Sequence, residues 1–507
     1  MQEPLLRVPA RPDVLNLFPD FKETEPGFGV IKHDIGATLM LRHLGFEVQS
    51  PVRLHYDFPH PPGKPPFEVQ IQTVERLTEN KRFYVLSGMG VGKTACAIWA
   101  FDYLRRLGLA KKMLVVAPLS TLKFTWMREF FDFCPHLKVA VLHGTKAQRL
   151  KVLATDADVY IINHDGPLTI AEALKTRKDI TNLVLDELAV YRNPTDRSKW
   201  MQEYAQHIEW VWGMTGAPTP HEPTDVYGQA KIVTPNRVPM RFGRFREQLM
   251  YRVSQFIWVP RKDANEQAFN VLQPSVRFQL EDVTELPPYV SIRPDVDLGP
   301  KQKFIYEALR KDAYAMVGNQ TITAVNAGAA LNKLLQVSLG WVYDSDGNVI
   351  QLDNKPRLKL LGELIEGATG KVIVFSAFKH ALSGIEQFIT KDLKYSCAVV
   401  SGDTPMGKRS QIFHQFQNEL HPRVLDAHPQ CMAHGITLTA ADTVLWFGPI
   451  TSNEIYDQAN MRIRRVGQKR KQLFGHIQAT PAERRVYNLL IGQQNMQAQL
   501  LDMFRED

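Results

Sequence analysis

A glycine-rich segment, residues 87–94, lies between an apolar run and a helical stretch, and its residue types suit phosphate binding. Gly90 and Gly92 allow successive backbone N–H groups to converge on phosphate oxygens, and a helix that begins at Lys93 directs its positive end at the same anion. The Lys93 ammonium would contact the β- and γ-phosphates. This context favours a nucleoside triphosphate site over a chance glycine turn. The residues assigned to the site are Ser87, Gly88, Gly90, Gly92, Lys93 and Thr94, with the Thr94 hydroxyl as a magnesium ligand.

An acidic pair, Asp186 and Glu187, stands where the apolar run 182–185 ends. Open parallel sheets bind their ligands at the carboxyl ends of the strands, so the pair has the position that metal and base chemistry require. Asp186 is expected to hold magnesium, and Glu187 to orient and deprotonate an attacking water. By itself such a pair more often caps a helix or lies in a solvated turn. The phosphate loop upstream favours the catalytic interpretation.

Two arginines three residues apart, Arg462 and Arg465, lie in a basic segment of the C-terminal region. On a helix this spacing places both guanidinium groups on one face. A planar guanidinium can stabilise the charge of a transferring phosphoryl group. The alternative is a solvated basic helix or a targeting run, because residues 469–471 are also basic. A catalytic role requires this region to approach the phosphate loop.

Short apolar runs alternate with helical stretches in two parts of the chain. Runs that are apolar on both faces suit strands buried between helix layers, so the pattern predicts two α/β units with parallel sheets. The interval between them is helical and irregular. The runs of the first unit are 83–87, 112–118, 138–143, 159–163, 182–187 and 211–216, and those of the second are 371–376, 395–402, 423–428, 442–448 and 473–479.

The overall composition excludes several classes of protein. The 507 residues include 61 basic and 53 acidic ones, which gives a formal net charge of +8 and permits a nucleic-acid partner. Hydrophobic residues make up 44% of the chain, which argues against global disorder. Four cysteines lie far apart, a spacing that argues against a zinc site or a disulfide framework. Because no signal peptide or membrane-spanning run is evident, we expect a cytoplasmic protein in a bacterial or host cell.

The first 63 residues have irregular periodicity and no assigned chemistry. Residues 35–46 are expected to form one short amphipathic helix that ends at Gly45. A proline cluster at residues 58–66 reads as a linker, because proline removes backbone donors and disfavours helix at the preceding residue.

Taken together, these segments resemble the superfamily-two helicases and, within them, the Swi/Snf-type double-stranded DNA translocases, including compact bacterial or bacteriophage members. The resemblance covers residues 67–490. Its most family-specific stretch begins at Ala117 and includes Trp126, which we expect to pack in the first lobe rather than to stack on a base. The matching segments, in chain order, are 67–70, 87–94, 117–130, 186–189, 214–218, 298–306, 334–336, 375–376, 401–416, 433–441 and 458–468.

The resemblance implies that two RecA-like lobes hold ATP and Mg²⁺ in the cleft between them. Gln70 would read the adenine, with Gln72 as a weaker candidate, while Arg462 and Arg465 would act from the second lobe. The resemblance also places Gly435 and Gln458 among the nucleotide-binding residues. Contacts to DNA phosphates are expected from Ser120, Lys123, Thr215, Gly216, Thr404 and Thr437. Contacts of this kind carry no sequence information, so tracking along DNA should be largely sequence-independent.

Several positions depart from the family pattern, among them Ser87 in place of the usual first glycine and residues 447–450, which lack a tryptophan that many relatives carry. Motif II ends in Ala189 where the family usually has His or Asp, a side chain that commonly links the nucleotide state to motif III. Ala217 replaces a threonine in motif III. These departures leave the route of coupling open.

The predicted fold class is therefore α/β, with two RecA-like parallel-sheet lobes of the P-loop NTPase type. The expected divisions are an N-terminal accessory segment (1–63), lobe 1 (64–240), a helical insertion (241–353), lobe 2 (354–490) and a C-terminal helix (491–507).

The expected function is an ATP-hydrolysing motor that translocates on double-stranded or branched DNA, remodelling forks or displacing bound proteins. We expect a monomer that meets no membrane and works beside replication, recombination or transcription proteins. Two alternatives stay open, namely a strand-separating helicase on DNA or RNA, and an ATP-gated nucleic-acid clamp without motor activity.

Overall fold

The apolar run Lys112–Ala117 is a strand buried on both faces of a parallel sheet, as its sequence predicts. The computed structural model that contains it describes residues 4–219, 222–254, 258–319, 324–343, 349–432 and 436–492. The chain divides into two units. The first comprises Met1–Thr219 and Pro223–Val283, and the second comprises Thr284–Asp507 with the short segment Pro220–Glu222.

The first unit is built on a seven-stranded parallel sheet with the order β12-β4-β9-β8-β5-β7-β6, joined by an N-terminal three-stranded sheet with the order β1-β3-β2. Its strands are β1 Leu5–Pro9, β2 Lys22–Glu25, β3 Phe28–Lys32, β4 Arg82–Val85, β5 Lys112–Ala117, β6 Val139–Leu142, β7 Val159–Asn163, β8 Ile180–Asp186, β9 Trp210–Met214, β10 Met250–Arg252, β11 Trp258–Pro260 and β12 Ser275–Val276. Its helices are α1 Pro12–Leu17, α2 Ile35–His43, α3 Pro51–His55, α4 Glu68–Glu79, α5 Lys93–Arg106, α6 Arg128–Phe133, α7 Lys146–Leu153, α8 Gly166–Thr169, α9 Ala171–Thr176, α10 Asp196–Gln206, α11 Val226–Val233, α12 Phe242–Leu249 and α13 Ala264–Val271.

The second unit is built on a six-stranded parallel sheet with the order β13-β20-β19-β16-β18-β17. Its strands are β13 Tyr289–Ile292, β14 Trp341–Tyr343, β15 Val349–Gln351, β16 Lys371–Phe375, β17 Cys397–Val400, β18 Val424–Ala427, β19 Ala441–Trp446 and β20 Gln472–His476. Its helices are α14 Pro300–Asn319, α15 Ala324–Leu339, α16 Lys355–Glu366, α17 Lys379–Gln387, α18 Met406–Asn418, α19 Asn453–Asn460 and α20 Pro481–Ile491.

Two predicted boundaries differ from this division. Strand β12 pairs with β4, so the first unit runs on to Val283, whereas the sequence suggested an end at residue 240. Strand β13 belongs to the second sheet although it precedes the predicted start of lobe 2 at residue 354. Both strands were missed because each adds an edge strand from the segment that joins the units, where the sequence shows no α/β repeat. Most of the predicted C-terminal helix, from residue 493 onward, lies outside the described residues.

The proline-rich segment is packed against the first unit instead of forming a linker. Tyr56 and Phe58 are buried in the core beneath α5, and the Tyr56 hydroxyl donates to Asp102 at 2.7 Å. The Trp99 indole donates to the carbonyl of Pro59 at 2.8 Å. Proline signalled correctly that this segment is not helical, but the aromatic residues beside the prolines decide where it lies.

Within the described residues, no helix is both long enough and apolar enough to cross a lipid bilayer.

A buried ion pair braces the second unit. The Arg357 guanidinium donates to both carboxylate oxygens of Glu483 at 2.7 and 2.8 Å, and both side chains are almost fully buried. Glu483 also accepts from the backbone of Ala479 and Thr480, and Arg357 donates to the carbonyl of Phe447. The pair therefore ties α16 and α20 to the ends of the sheet strands, with most of its hydrogen-bonding capacity used.

Asp426 is a second buried acidic residue of this unit, and its surroundings differ from those of Glu483. It lies on β18, which pairs with β16 and β17, and its side chain is fully buried. Among the described residues, neither carboxylate oxygen has a hydrogen-bond partner. Burial raises the pKa of Asp426 well above its usual value, and the charge of Glu386 raises it further.

We therefore expect Asp426→Val to raise stability by about 1–3 kcal/mol at neutral pH, since it removes an unsatisfied buried carboxyl. A carboxyl with a raised native pKa binds more protons in the folded state than in the unfolded one, so its contribution falls as pH rises above the ordinary value of 3.8. Denaturant unfolding between pH 4 and pH 8 measures both effects. The surface control Asp392→Asn should leave the pH dependence unchanged; an equal gain in both variants would contradict the argument.

Candidate nucleotide site

The glycine loop has the strand–loop–helix setting that the sequence predicts. Strand β4 ends at Val85 and helix α5 begins at Lys93, with Gly92 at its N-cap. Gly90 and Gly92 have φ angles of +83° and +84°, in the left-handed region that other residues avoid. The two glycines therefore form the turn that directs backbone N–H groups and the start of α5 toward a bound anion.

Ser87 occupies the position where such loops usually have their first glycine, and the structure explains the substitution. Its hydroxyl accepts a hydrogen bond from the backbone N–H of Phe278 at 3.1 Å. The Gly88 N–H in turn donates to the Phe278 carbonyl at 2.7 Å. The serine thus binds the chain that follows β12 to the edge of the loop, a contact that glycine could not make.

The Lys93 ammonium is held at this loop. It donates to the carbonyls of Ser87 and Gly88 at 2.8 and 3.0 Å. A Cβ atom placed on Gly216 would lie 3.9 Å from Lys93 Nζ, so the segment after β9 is directly beside the phosphate loop. The lysine is therefore positioned within reach of whatever the loop binds.

Thr215 and Gly216, two of the predicted DNA-phosphate contacts, lie in this segment after β9. Thr215 is 1% exposed, and its hydroxyl accepts from the Ala217 N–H at 3.3 Å. Gly216 is half-buried beside Lys93. The predicted contact of these two residues with DNA phosphates stays a prediction.

Gln70 is buried behind the same loop. Its side-chain oxygen accepts from the Phe67 N–H at 2.9 Å, and its amide nitrogen donates to the Val91 carbonyl at 3.0 Å. A Cβ on Gly92 would lie 2.1 Å from that nitrogen. Gln70 therefore supports the loop. Position 92 requires glycine for two reasons, its left-handed φ and the close approach of the Gln70 amide. The predicted contact of Gln70 with adenine stays a prediction.

Asp186 and Glu187 follow β8, whose neighbours in the sheet are β5 and β9. The Glu187 N–H donates to Asp186 at 3.2 Å, and Glu187 itself has a left-handed φ of +53°. Non-glycine residues seldom adopt this conformation, and they do so most often at functional sites. Burial raises the pKa of Asp186, while the Trp126 hydrogen bond and the Lys93 charge oppose the rise.

The indole of Trp126 donates to the second Asp186 oxygen at 2.9 Å and is fully buried. This confirms the expectation that Trp126 packs in the first lobe. Sequence reasoning missed its polar contact, because the two residues are 60 positions apart and only the sheet brings them together. The contact joins the segment after β5 to the predicted metal ligand.

The residues of the first unit fit a magnesium ion carried with a nucleotide. Asp186 and Thr94 offer carboxylate and hydroxyl oxygens, the ligand types that Mg²⁺ prefers. Each Asp186 oxygen accepts a hydrogen bond, one from the Trp126 indole and one from the Glu187 N–H, and hydrogen bonds of this kind orient a ligating carboxylate. The ion would neutralise phosphate charge there.

The remaining candidates of this unit follow β5. Ser120 lies in the turn and is half-buried, and Lys123 is exposed at the start of the next helical turn. Their predicted contact with DNA phosphates stays a prediction.

In the second unit the paired arginines are not on a helix, which corrects the argument from their spacing. Helix α19 ends at Asn460, and both arginines lie in the turns that follow it. Gly467, with a φ of +95°, and the buried amide of Gln468 shape this segment. The sequence signal for a turn was Gly467, which argues against helix through that point.

The two arginines have different environments. Arg462 is 2% exposed and donates to the Ile436 carbonyl at 3.2 Å. Arg465 is half-buried, and it donates to the Met461 carbonyl and to the Thr437 hydroxyl, each at 3.1 Å. A predicted phosphoryl-stabilising residue and a predicted DNA-phosphate contact therefore touch each other directly.

The other predicted residues of this unit include Gln458 on α19 and Thr404 in the loop after β17. Gln458 is buried on α19 and donates to Glu454 at 3.1 Å. The Thr404 hydroxyl accepts from the Ser401 N–H at 3.0 Å. Arg409 donates to the carbonyls of Gly402 and Thr404, and so holds that loop. Gly435 lies outside the described residues.

Two family models match the chain. The SNF2-related domain matches residues 78–339, which is more than half of the chain, and the helicase conserved C-terminal domain matches residues 356–467.

Individual relatives are more distant. The chain is 25% identical over 430 residues to putative protein p41 of Acyrthosiphon pisum secondary endosymbiont phage 1, covering 80% of this chain and 88% of that one. It is 25% identical over 434 residues to an uncharacterized ATP-dependent helicase of Mycoplasma genitalium, covering 82% of this chain and 40% of that protein. The ISWI chromatin-remodeling ATPase ISW1 of Saccharomyces cerevisiae is 24% identical over 80% of this chain, which spans 38% of it. Among solved structures, the Sulfolobus solfataricus SWI2/SNF2 ATPase core in complex with dsDNA overlaps 89% of this chain and 96% of that one, at 20% identity and a TM-score of 0.40.

The glycine loop of the first unit, its acidic pair and the arginine segment of the second unit all fall within the matched ranges, and the chain belongs to the SNF2-related family of helicase-like ATPases.

Proposed function

We propose that the chain is an ATP-driven motor that translocates on double-stranded DNA. The observation that carries the proposal is the hydrogen bond between Arg465 and Thr437, because it links a residue suited to phosphoryl transfer with one suited to a DNA phosphate. The family assignment supplies ATP hydrolysis, and the relative that is named a chromatin-remodeling ATPase supports DNA as the polymer. The proposed tasks of this motor are remodelling of forks or displacement of bound proteins.

The first unit would supply the hydrolytic groups. Lys93 would exchange its loop carbonyls for phosphate oxygens, which are better partners because they carry formal charge. Glu187 would accept the proton of the attacking water. Its backbone is held by Asp186, so the base and the predicted metal ligand are oriented together.

The second unit would supply Arg465 to the γ-phosphate when the cleft closes. Since the guanidinium now bonds to Thr437, its movement toward phosphate would break or strain that contact. The loss of this hydrogen bond would affect Thr437, which is a predicted contact to a DNA phosphate. Such an exchange converts the presence of a γ-phosphate into a change of grip, which is what translocation requires.

The primary test is steady-state ATP hydrolysis with no nucleic acid, with duplex, single-stranded or forked DNA, and with RNA. We expect duplex DNA to stimulate hydrolysis most, and Lys93→Ala to reduce it to the level without enzyme. Lys111→Ala, a substitution of an exposed lysine of the same unit, serves as the control. Absence of stimulation by any duplex or forked ligand would exclude the motor, and negligible turnover at saturating DNA would favour the clamp. Displacement of a triplex strand without unwinding of a duplex would separate translocation from strand separation.

Trp126→Phe tests the support of Asp186. The variant keeps an aromatic ring but removes the 2.9 Å hydrogen bond, so we expect activity or magnesium affinity to fall about 10–100-fold, as for other partners of metal ligands. The measurement is hydrolysis as a function of Mg²⁺ concentration. Trp99→Phe is a matched control, because that buried indole donates to a carbonyl away from the site. Similar losses in the two variants would show that packing alone is responsible.

Arg465→Ala tests phosphoryl stabilisation from the second unit. We expect hydrolysis to slow by about 10³-fold or more, the scale of other arginine fingers, while nucleotide binding changes little. Single-turnover hydrolysis and equilibrium binding of a fluorescent nucleotide separate the two quantities. Lys469→Ala removes an exposed charge of the same segment and should behave as wild type. An equal loss of binding and rate in Arg465→Ala would overturn the assignment.

A further inference from the structure

A basic surface on the first unit is left unused by the function above. The segment 241–262 contains six basic residues and one acidic residue, a net +5 within a chain whose total is +8. We define the basic surface by its exposed members Arg241, Arg244, Arg252, Arg261 and Lys262.

The described residues of this segment, 241–254 and 258–262, are packed onto the first unit. Helix α12 buries Phe245 and Leu249 in the core of the first unit, and Met250 continues that anchor into β10. Strands β10 and β11 form an antiparallel hairpin, and the N–H of Arg261 donates to the Leu249 carbonyl at 2.8 Å. The charged side chains are therefore carried on a fixed frame, with little ordering cost on binding.

Three charges of this surface, those of Arg241, Arg244 and Lys262, have no acidic partner in the part of the chain that the structure describes. Arginines elsewhere on the unit are neutralised, such as Arg53 by Glu75 and Arg105 by Asp158. By contrast, no described acidic side chain forms an ion pair with Arg241, Arg244 or Lys262. Glu247, the one acidic residue of the segment, is itself exposed. Unneutralised cations side by side repel one another, so an anionic partner would be stabilising here.

Aromatic residues are interleaved with the charges. Arg246 stacks on Trp258 at 4.4 Å, and Trp258 is directly opposite Arg252 in the hairpin. Tyr251 is 47% exposed beside them. Guanidinium groups on an aromatic platform are typical of surfaces that bind a nucleic-acid backbone.

The helices on either side of the hairpin fix the position of the surface in the unit. Both α12 and α13 pack against the turn Pro223–Asp225, which follows the segment beside the phosphate loop. The two helices that flank the hairpin therefore contact a segment that follows the carboxyl end of β9. A polymer bound to the basic surface would lie against the same part of the unit.

We propose that this basic surface is a second contact of the first unit with the phosphate backbone of duplex DNA, separate from the predicted contacts of Ser120 and Lys123. The proposal rests on the proposed function for its choice of polymer. Helix α12 extends for about 12 Å, and duplex DNA has a charge about every 1.7 Å along its axis, so the surface spans several phosphates. The contact would hold the duplex through backbone charges without reading its sequence.

The test compares two triple variants of the full chain. Arg241→Ala/Arg244→Ala/Lys262→Ala removes three charges of the basic surface. Lys146→Ala/Lys151→Ala/Lys178→Ala removes three exposed charges elsewhere on the same unit, so it is matched in net charge. Equilibrium binding of a duplex without nucleotide is measured as a function of salt, and thermal unfolding checks that both variants fold.

We expect the first triple variant to reduce the slope of log K against log salt by about 2–3, at about 0.9 for each lost phosphate contact. Affinity at low salt should fall tenfold or more, and the control should bind as wild type. An unchanged slope, or an equal change in the control, would overturn the proposal. Loss of binding to polyglutamate with unchanged binding to duplex would instead assign the surface to an acidic protein.

Failure of this proposal can be distinguished from failure of the motor. Salt-dependent binding without nucleotide tests the surface even if DNA does not stimulate hydrolysis. Conversely, DNA-stimulated hydrolysis with an unchanged salt slope would keep the motor and reject the surface.

Discussion

Parallel pairing of the central strands is the constraint on which the first unit depends. Because β4, β9, β8 and β5 are adjacent and parallel, their carboxyl ends lie at one edge. The glycine loop, the acidic pair and Gly216 each follow one of these strands, so the pairing of the strands brings them together. Burial of the sheet on both faces fixes the strands, so the carboxyl edge is the part of the sheet that can bind a ligand.

Three buried carboxyl groups differ in the hydrogen-bond partners that the fold provides for them. Asp186 is buried but receives hydrogen bonds from Trp126 and from the Glu187 backbone. Glu483 is buried with Arg357 and several backbone donors. Asp426 has none of these partners among the described residues, and so its burial costs stability. The satisfied carboxylates hold a site or join helices to a sheet, whereas no such role is visible for Asp426.

The second unit places its functional side chains in turns after strands and helices. Arg465 donates to the Thr437 hydroxyl, and Arg409 donates to the carbonyls of Gly402 and Thr404, so each arginine holds the loop beside it. On the first unit, by contrast, the charges of the basic surface are carried by a packed helix and a hairpin.

The sequence by itself determined the two parallel α/β units, the positions of β4–β9 and β16–β20 within a few residues, and the loop at residues 87–94, because apolar periodicity and glycine placement are local signals. It also determined the family through ordered short motifs. Only the tertiary structure decided that Trp126 holds Asp186, that Ser87 binds the chain after β12, and that Thr215 is buried. It also replaced the expected helix at Arg462 and Arg465 with turns. These are contacts between segments far apart in the chain, and a linear pattern does not encode which side chains the sheet brings together.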